Sequence, residues 1–217
     1  MTSSQPALTE EQAGLLREAA AWRLIALLFE CPRAGWHDEV AALGREVGDA
    51  RLQSAAEASK TEASEGLHHS LFGPGGPVSP REVTYLSGLQ QGYLLAELGA
   101  YYEAFAYKPV TTEPADHLSI EAGFMAYLAL KQAYALVSAD GDGAQVTAEA
   151  AERFRAEHLA GMTEPVARAL EAGGPSYLAL AAQALFARVG PGRAPRQALP
   201  LADAHVDDES GLSCGPS

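Results

Sequence analysis

At 217 residues the chain fits one domain with a sizeable core, and its formal net charge of −13 repels duplex nucleic acid and anionic membrane surfaces while suiting a basic partner. Hydrophobic residues make up 47 %, led by alanine and leucine, with few β-branched residues and no sustained alternation, which favours an all-α protein over one containing sheet. No apolar run approaches the roughly 20 residues that span a bilayer, and the start MTSSQPALTEEQ carries neither a basic nor an apolar export segment, so the expected location is cytoplasmic.

In chain order, Thr9-x-x-Gln12 is a capping box opening an amphipathic helix over Thr9 to Glu30, closed by Pro32. A short helix is expected over Trp36 to Val47, and a third over Asp49 to Leu71 with Leu52, Ala55, Ala56, Ser59, Ala63, Leu67 and Leu71 along one stripe. The run Gly73-Pro74-Gly75-Gly76-Pro77 breaks the pattern and reads as a hinge or binding edge near 73–80. Ser79-Pro80-Arg81-Glu82 then has the composition of a helix restart, with a capping serine, proline at the first helical position and glutamate at the third.

From Gln90 to Tyr107 the series Tyr93, Tyr101, Tyr102, Phe105 and Tyr107 predicts a helix buried over much of its length. It leads to Glu113-Pro114-Ala115-Asp116-His117-Leu118, where two carboxylates and an imidazole stand at the start of a long helix running to about Ser138. Pro114 keeps Glu113 out of helical geometry, and Asp116 has the chemistry to cap the first turn. A loop over Ala139 to Gly143, helices over Val146 to Leu159 and Thr163 to Ala172, and a last helix over Ser176 to Val189 follow. The domain is thus expected over 1–190, with a disordered acidic tail over 191–217.

Catalytic signatures are sparse. There is no phosphate-cradling GxxxxGK(S/T), no GxSxG, and a single Glu65-x-x-His68 where a carboxylate-bridged di-iron bundle needs two. Neighbours His68 and His69 point about 100° apart on a helix and are expected as an exposed pair. His158, one turn beyond Phe154, is expected as a packed, hydrogen-bonded histidine, and Cys31 and Cys214 as reduced and incidental.

Leu71-Phe72 before a Gly/Pro loop, Pro80-x-Glu82 beyond it, and Glu113-Pro114-x-Asp116-His117-Leu118 before Phe124-Met125 together resemble the TorD/DmsD family of maturation chaperones for molybdenum enzymes. The similarity is densest from about His68 to Leu130. It implies an all-α, single-domain bundle that binds and does not catalyse. Its partner would be an apo molybdoenzyme catalytic subunit and that subunit's twin-arginine leader, held until the molybdenum cofactor is inserted, with no cofactor or metal of the chaperone's own. Carried over position by position, Leu71, Phe72, Pro80, Glu82, Pro114, Asp116 and His117 match the leader-recognition surface, and Glu113 joins them by proximity. Several members carry an aromatic residue, often tryptophan, three positions before the Leu-Phe pair, where this chain has His68.

Guanidiniums pair bidentately with carboxylates, so Glu113, Asp116 and either Glu82 or Glu121 are the expected partners of leader arginines, beside a groove from Leu71, Phe72 and the tyrosines. Two alternatives stand beside this reading. One is a nitrate-reductase-type assembly chaperone whose client stays in the cytoplasm; the other, of a different class, is a helical metal-dependent enzyme using His117 and Glu113. The Gly/Pro loop also permits exchange of helical halves between two copies.

Overall fold

A computed structural model describes residues 8–86, 88 and 90–192, which form one all-α domain. The expected tail from residue 193 on, with Cys214, lies outside the described residues. The helices are α1 (Glu10–Leu28), α2 (Trp36–Glu46), α3 (Ala50–Glu62), α4 (Glu65–Phe72), α5 (Gln91–Ala104), α6 (Leu118–Val137), α7 (Gly141–Phe154), α8 (Ala160–Gly173) and α9 (Ser176–Val189). A 3₁₀ turn spans Glu82–Tyr85 and a π turn Arg155–Leu159. Among the described residues the only β pairing is one isolated antiparallel bridge, Arg81 with His117.

The core is an α1–α6 pair, the most extensive helix contact, with α7 on α6 and with α9 between α3 and α8. α1 starts at the capping box expected from its sequence, Thr9 Oγ1 accepting from Gln12 N and Gln12 Oε1 from Thr9 N. Its last turns, Leu24 to Phe29, are buried on every side, as suits a helix apolar all round. Trp36 is wholly buried and its Nε1–H donates to Leu27 O at 2.8 Å, tying α2 to the end of α1. The first half of α6, Leu118 to Ala126, is likewise buried. Phe124 lies there among Tyr101, Tyr102, Phe105, Tyr107 and Phe154, at ring separations from 4.8 to 6.4 Å. Such pairs contribute roughly 0.5–1.5 kcal/mol each beyond their buried area. Gly123 makes room for this cluster, since a Cβ there would stand 2.6 Å from Tyr107 Oη.

Four expectations are corrected. The third helix breaks in two, because Ser64 Oγ caps a new start by accepting from Leu67 N. α5 buries only the stripe Leu94, Leu98, Tyr102, and Tyr93 is 66 % exposed, since it lies two turns before the ring cluster. The chain stays helical from 141 to 173, Asp140 capping its start through Gly143 N. Burial of Leu159, Ala160, Met162 and Thr163 holds it helical past Pro165, with the π turn absorbing one residue.

The fourth correction concerns Ser79-Pro80-Arg81-Glu82, which opens a single 3₁₀ turn and no α-helix. Its backbone is claimed by another segment: Leu118 N donates to Pro80 O at 2.8 Å and Glu82 N to Asp116 O at 2.9 Å, on either side of the Arg81–His117 bridge. Ser79 Oγ accepts from Arg81 N, and Tyr85 Oη donates to Ser79 O. The loop before it folds back on itself through Gly76 N to Gly73 O and Val78 N to Leu71 O.

Candidate functional site

The pairing of 80–82 with 116–118 brings the two sequence-distant motifs into contact and opens a cleft of about 530 Å³ beside them. One wall is the end of α4 and the loop after it, from His68, His69 and Phe72 to Pro80 and Arg81; the other is Glu113, Pro114 and His117. Of the eight residues singled out from sequence, Phe72, Pro80, Glu113, Pro114 and His117 line the cleft. Leu71 is buried beneath it in the core. Glu82 and Asp116 lie behind the wall, at 1 % and 0 % exposure.

Asp116 is not the cap of α6. That role belongs to His117, whose Nδ1 accepts from Ser119 N at 3.2 Å and sits 2.7 Å from Ser119 Oγ. Asp116 instead grips the opposite segment: Arg81 Nε–H donates to its Oδ1 at 2.6 Å, and Val83 N–H to its Oδ2 at 3.4 Å. Because two of its acceptors satisfy the 81–85 turn, this carboxylate serves as a brace between the segments. The Arg81 side chain keeps 26 % of its surface exposed, on the cleft wall.

His117 is buried, and that burial, with His68 and Arg81 beside it, holds the imidazole down to about 3, so it is neutral at pH 7. With Nδ1 accepting, the proton sits on Nε2, 4.0 Å from Glu113 Oε2 and too far for a hydrogen bond. Glu113 is 35 % exposed and has no lysine or arginine within ion-pair distance among the described residues. His68 is not the exposed residue expected: it is 4 % exposed, packs against Phe72 and Phe29's carbonyl, and burial lowers its pKa. Its Nε2–H donates to Phe29 O at 3.4 Å, which leaves Nδ1 an acceptor, and that atom is buried with no partner. His69 is the exposed one of the pair, 3.7 Å from Glu65 and 4.0 Å from Cys31 Sγ.

Behind the wall lies a buried polar group that the sequence reading did not assemble. Both oxygens of Glu82 sit 3.2 Å from His158 Nδ1, bearing out His158 as a packed, hydrogen-bonded residue. Glu121 is wholly buried, its carboxyl raised well above the usual range by burial first and then by Glu82. Glu82 and Glu121 are therefore placed as interior groups, away from the cleft where sequence had them meeting arginines. Arg81, which pairs with Asp116 and lines the cleft, is the side chain that sequence reasoning passed over. It lies inside a quoted motif, but nothing local reveals a partner 35 residues away.

The model of the family described as "Nitrate reductase delta subunit" matches residues 39–168, well over half of the chain. The chain belongs to that family. The matched span runs from α2 into α8 and includes both walls of the cleft. Its members are assembly chaperones of molybdoenzymes, and membership places this protein among binding proteins that work with a molybdoenzyme catalytic subunit, not among catalysts. The metal-dependent enzyme built on His117 and Glu113 is thereby set aside. His117 Nδ1 is spent on capping α6. No curated protein matches the chain. No helix among the described residues is long and apolar enough to cross a membrane.

Proposed function

We propose that the protein is a cytoplasmic chaperone that binds the apo catalytic subunit of a molybdenum enzyme through its twin-arginine leader, holding it while the cofactor is inserted and against early export. The observation that carries this reading is the cleft, in which segments 71–82 and 113–118 meet around Glu113, a carboxylate with no lysine or arginine within ion-pair distance among the described residues. Phe72, Pro80 and Pro114 offer apolar walls to the leader's apolar stretch, and Glu113 offers the charge. Leu71, Glu82, Asp116 and His117 support this surface from behind or at its floor, by shape and bracing. The net charge of −13 speeds encounter with a basic segment.

The family description favours a second reading, in which the client is of the nitrate-reductase type and the body of the subunit supplies most of the contact. Calorimetry of the full chain against a synthetic twin-arginine leader and against the mature apo-subunit decides between them. Micromolar or tighter binding of the leader alone supports the first. Binding of the mature subunit with none of the leader supports the second.

A further inference from the structure

Three carboxylates were available to two leader arginines by sequence, but only one reaches the cleft. Asp116 is fully buried and already holds the chain's own guanidinium, Arg81, at 2.6 Å. Glu82 is buried against His158. That leaves Glu113 as the one carboxylate lining the cleft. His68 lines the other wall, with its Nδ1 buried and unpartnered among the described residues. A guanidinium has donors only, five of them, and a carboxylate has acceptors only. One carboxylate matches one arginine.

Arg81 also lines the cleft, with 26 % of its side chain exposed, and is already paired with Asp116. A second guanidinium entering beside the first would meet no further carboxylate on the lining. The cleft, at about 530 Å³, is the size of a small-molecule pocket and has room for a few side chains.

We propose that the cleft reads a single arginine followed by apolar residues, bound by Glu113, the one carboxylate on its lining. This rests on the leader-binding reading above and narrows it. The two arginines of a leader are then inequivalent: one is held, and the other stays in solvent, open to whatever next recognises the leader.

The test is calorimetry of the full chain with four synthetic leader peptides that share one apolar stretch and differ only at the arginine pair: Arg-Arg, Arg-Gln, Gln-Arg and Gln-Gln. One single-arginine peptide is expected within about threefold of Arg-Arg, and Gln-Gln roughly tenfold or more weaker, as for loss of a charge-assisted pair. Glu113→Gln, at a half-exposed position that leaves the fold intact, is expected to bring Arg-Arg down to the Gln-Gln level. If both single-arginine peptides fall as far as Gln-Gln, the cleft needs two arginines and the inference is overturned while leader binding stands. Unchanged Arg-Arg affinity in Glu113→Gln also overturns it. If none of the four peptides binds and the mature subunit does, the leader reading itself fails and this inference fails with it.

Discussion

Asp116→Asn tests the brace most directly. As a helix cap, Asp116 would be worth about 1 kcal/mol and would act independently of Arg81. In the structure it is a buried carboxylate with a 2.6 Å charge-assisted bond to Arg81 and a longer one to Val83 N. Hydrogen bonds to charged groups contribute roughly 1.5–3 kcal/mol, and breaking a fully buried pair by removing one partner costs about 3–5 kcal/mol. The partly exposed Arg81 can turn to water, which places the loss towards the lower of these, at about 2 kcal/mol. For a domain of this size that lowers Tm by roughly 4–8 °C.

The assay is urea and thermal unfolding of Asp116→Asn, Arg81→Gln and the double variant. The double-mutant cycle should give a coupling of roughly 1–2 kcal/mol, because each single change removes the same contact. The coupling should persist at high salt, since a buried pair is poorly screened. A coupling within error of zero, or a Tm loss of a degree or less in Asp116→Asn, would refute the brace. The same reasoning disqualifies this variant as a clean probe of binding. A loss of client affinity in Asp116→Asn reports partly on a loosened wall, whereas Glu113→Gln does not.

His117→Asn keeps a capping side chain on α6 but removes a titrating group. The folded imidazole sits near 3 against an ordinary 6.5, so the unfolded chain binds the extra proton between those values, and wild-type stability should fall as pH drops from 6.5 towards 3. Tm plotted against pH should be flatter over that window in His117→Asn; parallel curves would count against a buried neutral ring. Glu121→Gln acts at the other end: the folded carboxyl keeps its proton above the ordinary 4.5, so wild-type stability declines as pH rises from 4.5, and the glutamine variant should lose that decline. Equal slopes above pH 5 in both proteins would show Glu121 ionised in the fold. Gly76→Ala places a Cβ 2.2 Å from Leu71 O, a backbone atom that cannot move aside cheaply. It is expected to displace the loop and weaken client binding by roughly tenfold or more with a Tm loss of a few degrees, measured by calorimetry and thermal scan; full affinity would remove this loop from the site.

What sequence disclosed follows the range of the interactions. Helices announced by local chemistry were legible: the Thr9/Gln12 box that opens α1, and α9, whose expected bounds match; the amphipathic face expected of α1 gives way to burial on every side of its last turns. Periodicity could not see that Ser64 restarts a helix inside a continuous stripe, because the stripe continues through the break and only the cap marks it. The helix restart at 79–82 failed for the complementary reason. Its capping composition is genuine, but backbone bonds to 116–118 outcompete the helix there, and those partners lie some 35 residues on.

The site was legible as a set of positions and not as a set of roles. Glu113, Asp116 and His117 are all polar residues at one junction, and nothing local says which faces out. The helical phase of α6 turns Glu121 into the core, and the bridge to Arg81 turns Asp116 the same way, leaving Glu113 at the surface because Pro114 keeps it off the helix. His68 and His117 illustrate the same limit from the other side. A histidine's chemistry depends on what its two nitrogens meet, and here Phe29 O takes one proton while Ser119 N takes one lone pair. These contacts leave Nδ1 as the acceptor on both rings and put the proton of each on Nε2. The polar groups that line the cleft are thus those left over after the fold's own demands are met, which is why composition at the junction offers several carboxylates and the lining presents one, Glu113.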